Sequence, residues 1–148
     1  MVKLLIRKTK MNYKIIAKYI KNIKFEIPNP KTFFLLSKNI PNYKINIDIK
    51  SNQIKKNILE IEITLSLNAI KDDFEKIDTK IIYSTVIEIS GDLSIKKSLE
   101  EIILIKVPSE VYPEIRKIFI FIFECSGFKD IKIDENVDFK KLYNKKRN

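Results

Sequence analysis

The chain predicts an α+β domain in which a four-stranded antiparallel sheet is followed by C-terminal helices packed on one of its faces. Three observations carry that expectation. Apolar and polar residues alternate with a period of two in four segments ahead of Gly91. The links between the last three segments are short and polar, whereas a parallel pair needs a crossover of about a dozen residues or more. After Gly91 the alternation gives way to helix-capping residues. The 148 residues are 45% hydrophobic and 32% charged, which describes one domain able to bury about 70% of its unfolded surface around a single core.

The first strand runs from Tyr13 to Glu26, with Ile15, Ala17, Tyr19, Ile23 and Phe25 on one side and Lys14, Lys18, Asn22 and Lys24 on the other; Lys21 interrupts the apolar side. Pro28 and Pro30 stop it, because proline cannot donate to a ladder and restricts the residue before it. A crossover loop to Pro41 carries Phe33, Phe34, Leu35 and Leu36, which need a cover. Lys44 to Lys50 is a half-buried strand, with Ile45, Ile47 and Ile49 facing away from Asn46 and Asp48. The turn SNQIKKN leads to the third strand, where Leu59, Ile61, Ile63, Leu65 and Leu67 alternate with Glu60, Glu62, Thr64, Ser66 and Asn68. A link containing Lys71, Asp72 and Asp73 leads to the fourth, Lys76 to Ile89, with Ile77, Ile81, Tyr83, Thr85 and Ile87 on one side.

Ser98 and Glu101 have capping-box spacing and predict a short helix ending before Pro108. Ser109 caps the next helix, Pro113 falls in its first turns and Gly127 closes it. The run IFIFIF, Ile118 to Phe123, has strand propensity, but its caps and length make it helical. Such a helix is apolar nearly all round and needs burial on more than one side. One sheet is too little cover, so Phe119, Phe121 and Phe123 are assigned to packing between copies. Cys125, in apolar surroundings, is expected to be an inert core thiol. Asp138 caps a last helix carrying Phe139, Leu142 and Tyr143. Basic tails, residues 1–12 and 144–148, flank the domain at 13–143.

Composition excludes much of enzymology. With no His and one Cys there is no Ser-His or Cys-His nucleophile pair, no imidazole metal site, no thiolate zinc cage and no intramolecular disulfide. Glu60 and Glu62 share a strand face, but that alternation is what a solvated face shows. The N-terminal MVKLLIRKTKM begins like a signal peptide, yet its apolar run ends at Arg7, and no run approaches the roughly 20 apolar residues of a membrane span. A cytoplasmic address without membrane insertion is expected. Ile and Lys exceed a third of the chain, and 29 Lys and Arg against 19 Asp and Glu leave +10. That charge raises nucleic acid as a partner of a different class; against it, the lysines are spread along the chain, arginine is scarce and no binding motif appears.

Four blocks, in order and spacing, resemble the bacterial protein-export chaperone family SecB. YIKNIKFEIPNP, Tyr19 to Pro30, resembles the family's first strand and its F-E-x-P-N-x-P stop. LEIEITLSLNA, Leu59 to Ala69, stands where the family has Y-E-V-x-L-x-x-T-V-x-A. VPSEVYPEIRK, Val107 to Lys117, resembles C-P-x-x-L-F-P-Y-A-R at the start of the long helix, with Val107 in place of the cysteine. SGFKDIKIDENVDFKKLY, Ser126 to Tyr143, resembles the G-F-P through N-F-x-x-L-Y ending. The tryptophan common in the family's crossover loop is absent.

The resemblance implies a cytoplasmic homotetramer, a dimer of dimers, that holds unfolded precursor proteins and hands them to the SecA translocation ATPase, with no cofactor and no ATP site. By position, the implied client groove falls on Phe33, Phe34, Tyr43, Ile45, Ile47, Leu59, Phe139, Leu142 and Tyr143. The implied SecA contact falls on Asn22, Glu26, Asp78 and Lys80. One family carboxylate is kept at Glu26, one is lost at Asn22 and one is reversed at Lys80, while Asp78 replaces an apolar residue. SecB-like chaperones of toxin–antitoxin systems, which protect one antitoxin, are the alternative within the same fold.

Overall fold

The computed structural model describes residues 11–39, 43–69, 78–129 and 131–147. The expected basic residues Lys3, Arg7, Lys8 and Lys10, the link Lys71 to Asp73, and Ile77 lie outside them. Four strands, β1 (Asn12–Glu26), β2 (Tyr43–Lys55), β3 (Ile58–Ala69) and β4 (Asp78–Ser90), form one antiparallel sheet in the order β1-β4-β3-β2. Strands β2 to β4 are a meander, and β1 lies beside β4, which is a Greek-key order. β1 and β2 are therefore the two edges. The helices are α1 (Pro30–Asn39), α2 (Lys96–Glu101), α3 (Val107–Cys125) and α4 (Phe139–Arg147), with a π-helical turn at Ile102–Lys106 joining α2 to α3. The fold thus reaches beyond 13–143: Met11 is buried, and α4 includes residues expected as tail.

The inner face carries Leu59, Ile61, Ile63, Leu65 and Leu67 of β3 and Ile81, Tyr83, Ile87 and Ile89 of β4, all buried. α3 covers it with Val107, Val111, Tyr112, Ile115, Phe119 and Phe123, so the IFIFIF run is helical as expected. Phe119 and Phe123 stack four residues apart, ring centroids 5.0 Å, and Phe25 meets Phe123 edge-on at 5.0 Å. Gly127 ends the helix in the left-handed region, φ +95°. Its N–H donates to Glu124 and that of Phe128 to Phe123, a Schellman closure. A Cβ at Gly127 would also stand 3.1 Å from the Phe33 ring.

Several expectations change. The crossover is not a loop but α1, capped by the Asn29 side chain, which accepts from the Thr32 N–H at 2.8 Å; Thr32 and Leu36, one turn apart, are its buried face. The register of β1 against β4 shifts between Ile15 and Ala17 and between Ile20 and Asn22, so two bulges exchange its faces. Ala17 and Tyr19 are consequently on the outer face, and Lys18 turns inward to pair with Glu114 of α3 at 2.6 Å. β2 continues through the expected turn to Lys55.

Pro108 does not separate two helices. It has no N–H for the carbonyl four residues back, and the chain widens instead: the Val107 N–H donates to Ile102, five residues back. Ser98 and Ser109 cap nothing; the helix begins at Lys96, and the Ser109 hydroxyl donates to the Ile105 carbonyl within it. Cys125 is exposed rather than a core thiol, because it lies two residues past the buried Phe123 and so on the other side of the helix.

On the outer face Glu60 joins all four strands. It accepts from Ser84 of β4 at 2.7 Å, Tyr19 of β1 at 3.1 Å and Asn52 of β2 at 3.3 Å, and pairs with Lys21 at 3.3 Å. Lys21, at the second bulge, also pairs with Glu62. The Ser84 hydroxyl above all, then Asn52, Lys21 and Tyr19, hold the Glu60 carboxyl down at about 2 from an ordinary 4.5, against the cost of desolvation. A carboxyl depressed in the folded state adds stability above its unfolded value, and that contribution is lost as pH falls from 4.5 towards 2. Glu60→Gln is therefore expected to lower the urea midpoint near neutrality, with the gap to the parent closing below pH 4.5. Urea titrations at about pH 7, 4 and 3 check this; a gap that does not change with pH contradicts a charge-dependent role.

Candidate functional site: an apolar groove at the β2 edge

The groove lies between β2 and α4 and is open to solvent. Its outer lobe, about 510 Å³, has Ile45 and Ile47 of β2 on one wall, Ile131, Ile133 and Val137 of the irregular segment after α3 on another, and Leu142 of α4 above. Its inner lobe, about 320 Å³, is lined by Ile47, Ile49, Leu104, Phe139, Leu142 and Tyr143, with Glu100 at its polar end. Ile47 and Leu142 line both lobes, so the two adjoin.

Side chains of α3 hold the irregular wall in place. The Tyr112 hydroxyl donates to the Asp134 carbonyl at 2.7 Å, and Arg116 Nε donates to the Ile133 carbonyl at 3.0 Å. Burial raises the Tyr112 phenol above its ordinary value, which keeps it a donor. The Asp138 carboxylate accepts the Lys141 N–H at 3.0 Å and caps α4, as the sequence predicts. Phe139 anchors that helix edge-on against Tyr112, centroids 5.9 Å apart, and the Tyr143 hydroxyl donates to Glu100 of α2. Four exposed lysines, Lys44, Lys132, Lys141 and Lys145, rim the outer lobe beside Asp134 and Asp138.

Of the expected groove residues, Ile45, Ile47, Phe139, Leu142 and Tyr143 converge here. Leu59 is a core residue of the inner sheet face and lines neither lobe. Phe33 packs on Phe128, centroids 4.8 Å apart, and Phe34 stands on Phe33 with 63% of its surface exposed; neither lines the groove. Tyr43 opens β2, and its side chain lies outside the described residues. Sequence reading missed Ile49, Leu104 and the wall formed by Ile131, Ile133 and Val137. The alternation Ile131-Lys132-Ile133 was the available signal, but it carries no information on which surface it meets.

Asn22, Glu26, Asp78 and Lys80 share one corner of the outer face, where Glu26 faces Asp78, Asn22 faces Ile82, and Lys24 faces Lys80. Lys24 pairs with Asp78 at 2.6 Å. Phe119 and Phe123, 1% and 0% exposed, are filled in by the chain's own core and are removed from any surface between copies. Phe121 is 63% exposed, and the β1 edge adds exposed Ile16, Ile20 and Ile23. Among the described residues no helix is long and apolar enough to cross a membrane.

The family described as "Preprotein translocase subunit SecB" matches residues 7–148. The putative protein-export protein SecB of Pelagibacter ubique (strain HTCC1062) is 34% identical over 137 residues, which cover 93% of this chain and 98% of that protein. The protein-export protein SecB of Anaplasma phagocytophilum (strain HZ) is 25% identical over 141 residues, 87% of this chain and 89% of that one. Among solved structures, a Mycobacterium tuberculosis SecB-like chaperone in complex with an antitoxin peptide aligns at a TM-score of 0.48 and 9% identity, over 89% of this chain and 95% of that one. The match to the family spans both the sheet and the groove-forming segments, and the chain belongs to the SecB family of protein-export chaperones.

Proposed function

We propose that the chain is an ATP-independent cytoplasmic holdase that binds unfolded precursor proteins in the β2–α4 groove and passes them to the SecA ATPase. The observation that carries this reading is a pair of adjoining lobes with apolar walls alongside a sheet edge. An unfolded segment offers apolar side chains to such a groove and main-chain groups to the open edge of β2, a mode of recognition that needs little sequence specificity. Ile47→Arg, with or without Ile45→Arg, should weaken binding of an unfolded precursor about tenfold or more, because the guanidinium enters an apolar surface. Fluorescence anisotropy with a labelled, refolding-defective precursor measures it; undiminished binding by both variants would move the site elsewhere.

The functional particle in this reading is a homotetramer built as a dimer of dimers. β1 supports it: the strand is an edge of 15 residues that exposes Ile16, Ile20 and Ile23, an apolar surface that a second copy would cover. Phe121 supplies a second apolar contact on α3. Ile20→Lys should reduce the particle to smaller species in light scattering coupled to size exclusion, and a particle of unchanged mass counts against β1 as an interface.

SecA contact is assigned to the outer corner of Asn22, Glu26, Asp78 and Lys80. Asp78 is paired there with Lys24, and Lys80 stands opposite Lys24 in the register. A basic partner surface would be attracted more strongly once Lys80 is reversed, chiefly through the association rate. Lys80→Glu is expected to raise the on-rate for SecA several-fold at low salt. Surface plasmon resonance tests this, and an unchanged on-rate removes the position from the contact.

A further inference from the structure

The lysines of the groove rim specify what kind of segment the groove prefers, an inference that rests on the groove being the client site. We infer that the groove selects apolar segments flanked by acidic residues. Lys44, Lys132, Lys141 and Lys145 all border the outer lobe, all four are exposed, and none forms an ion pair among the described residues. They come from three separate parts of the fold: the start of β2, the irregular wall and two successive turns of α4. Lys141 and Lys145 are four residues apart and so project from one side of α4.

The carboxylates nearby do not cancel this field. Asp138 is committed to the N-terminus of α4, where it accepts a backbone N–H. Glu100 lies in the inner lobe and accepts the Tyr143 hydroxyl. Asp134 and Asp138 make two carboxylates against four ammonium groups at the outer lobe, so the rim keeps an excess of positive charge. An extended segment with its apolar residues on Ile47, Leu142 and Phe139 places its flanking residues among these lysines. Acidic flanks gain four candidate partners there, and basic flanks meet like charge over apolar walls that focus the field.

The test uses the full chain and three labelled peptides with the same apolar core, flanked by Glu, Ser or Lys. Anisotropy titrations at about 20 mM and about 500 mM salt should give a Glu-flanked peptide bound about tenfold tighter than the Lys-flanked one, with the gap nearly closed at high salt. Lys132→Glu combined with Lys141→Glu should abolish or reverse the order. Lys55→Glu with Lys56→Glu, at the far end of β2, alters net charge equally and should leave the order intact. An equal effect of the two double variants would attribute the preference to overall charge and overturn the inference. Equal binding of all three peptides overturns it too while keeping the groove as client site, and binding of none overturns the client reading itself. Displacement of the Glu-flanked peptide by polyuridylate, but not by an unlabelled apolar peptide, would make the rim a polyanion site and also overturn it.

Discussion

The width of the sheet relative to one helix decides where this chain leaves a groove. Strands lie about 4.8 Å apart and a helix with its side chains is about 10 to 12 Å across, so a single helix covers the central strands of a four-stranded sheet but not both edges. α3 packs on β3 and β4, and there the inner face is fully buried. At β2 the inner isoleucines Ile45, Ile47 and Ile49 are only half buried. The cover at that side is α4, a helix of nine residues, together with an irregular segment. Two short pieces of chain cannot seal a strand as a long helix does, and the gap between them is the groove.

Holding that gap open is as much a matter of polar pinning as of apolar packing. Tyr112 and Arg116 are on α3, whose position is fixed by the core, and each donates to a carbonyl of the irregular wall. A wall without regular secondary structure needs such partners for its backbone, or it collapses onto the nearest apolar surface. The π-helical turn contributes at the other end. By carrying the helix through Pro108 without a break, it sets Leu104 and Glu100 on the same continuous rod as Tyr112, so both lobes of the groove are referred to one rigid element.

Much of the sheet was legible because a buried inner face leaves a period of two, and β3 and β4 follow it strictly. β1 was legible as a strand but not in its facing. A bulge inserts one residue and reverses everything after it, and neither Ile16 nor Lys21 marks itself as the inserted residue. Lys18 makes sense on the inner face only when Glu114, far along the chain, is known to lie opposite. α1 escaped notice since its four adjacent apolar residues show no helical period, although Asn29 with Thr32 was a cap in plain view. At the site, the β2 isoleucines and α4 residues were readable from position in the family pattern, but Leu59 was not separable from them. The difference between a core residue and a groove residue on the same sheet face depends on which helix lies above it, and periodicity holds no information on that.

The lysine-rich composition reads as one property of the chain, yet the fold divides it into charges with different effects. Lys18, Lys21 and Lys24 lie on or beside carboxylates and act as ties between strands or between β1 and α3. They add little to the field felt at a distance, since each is locally balanced. The four lysines around the outer lobe outnumber its two carboxylates and border apolar walls, so an excess of positive charge is left there. A net charge of +10 therefore says little about what the chain binds until the paired cations are set aside. Of the 29 Lys and Arg, three are tied to carboxylates in this way and four rim the outer lobe, so what bears on the proposed client site is the placement of a few charges rather than the total.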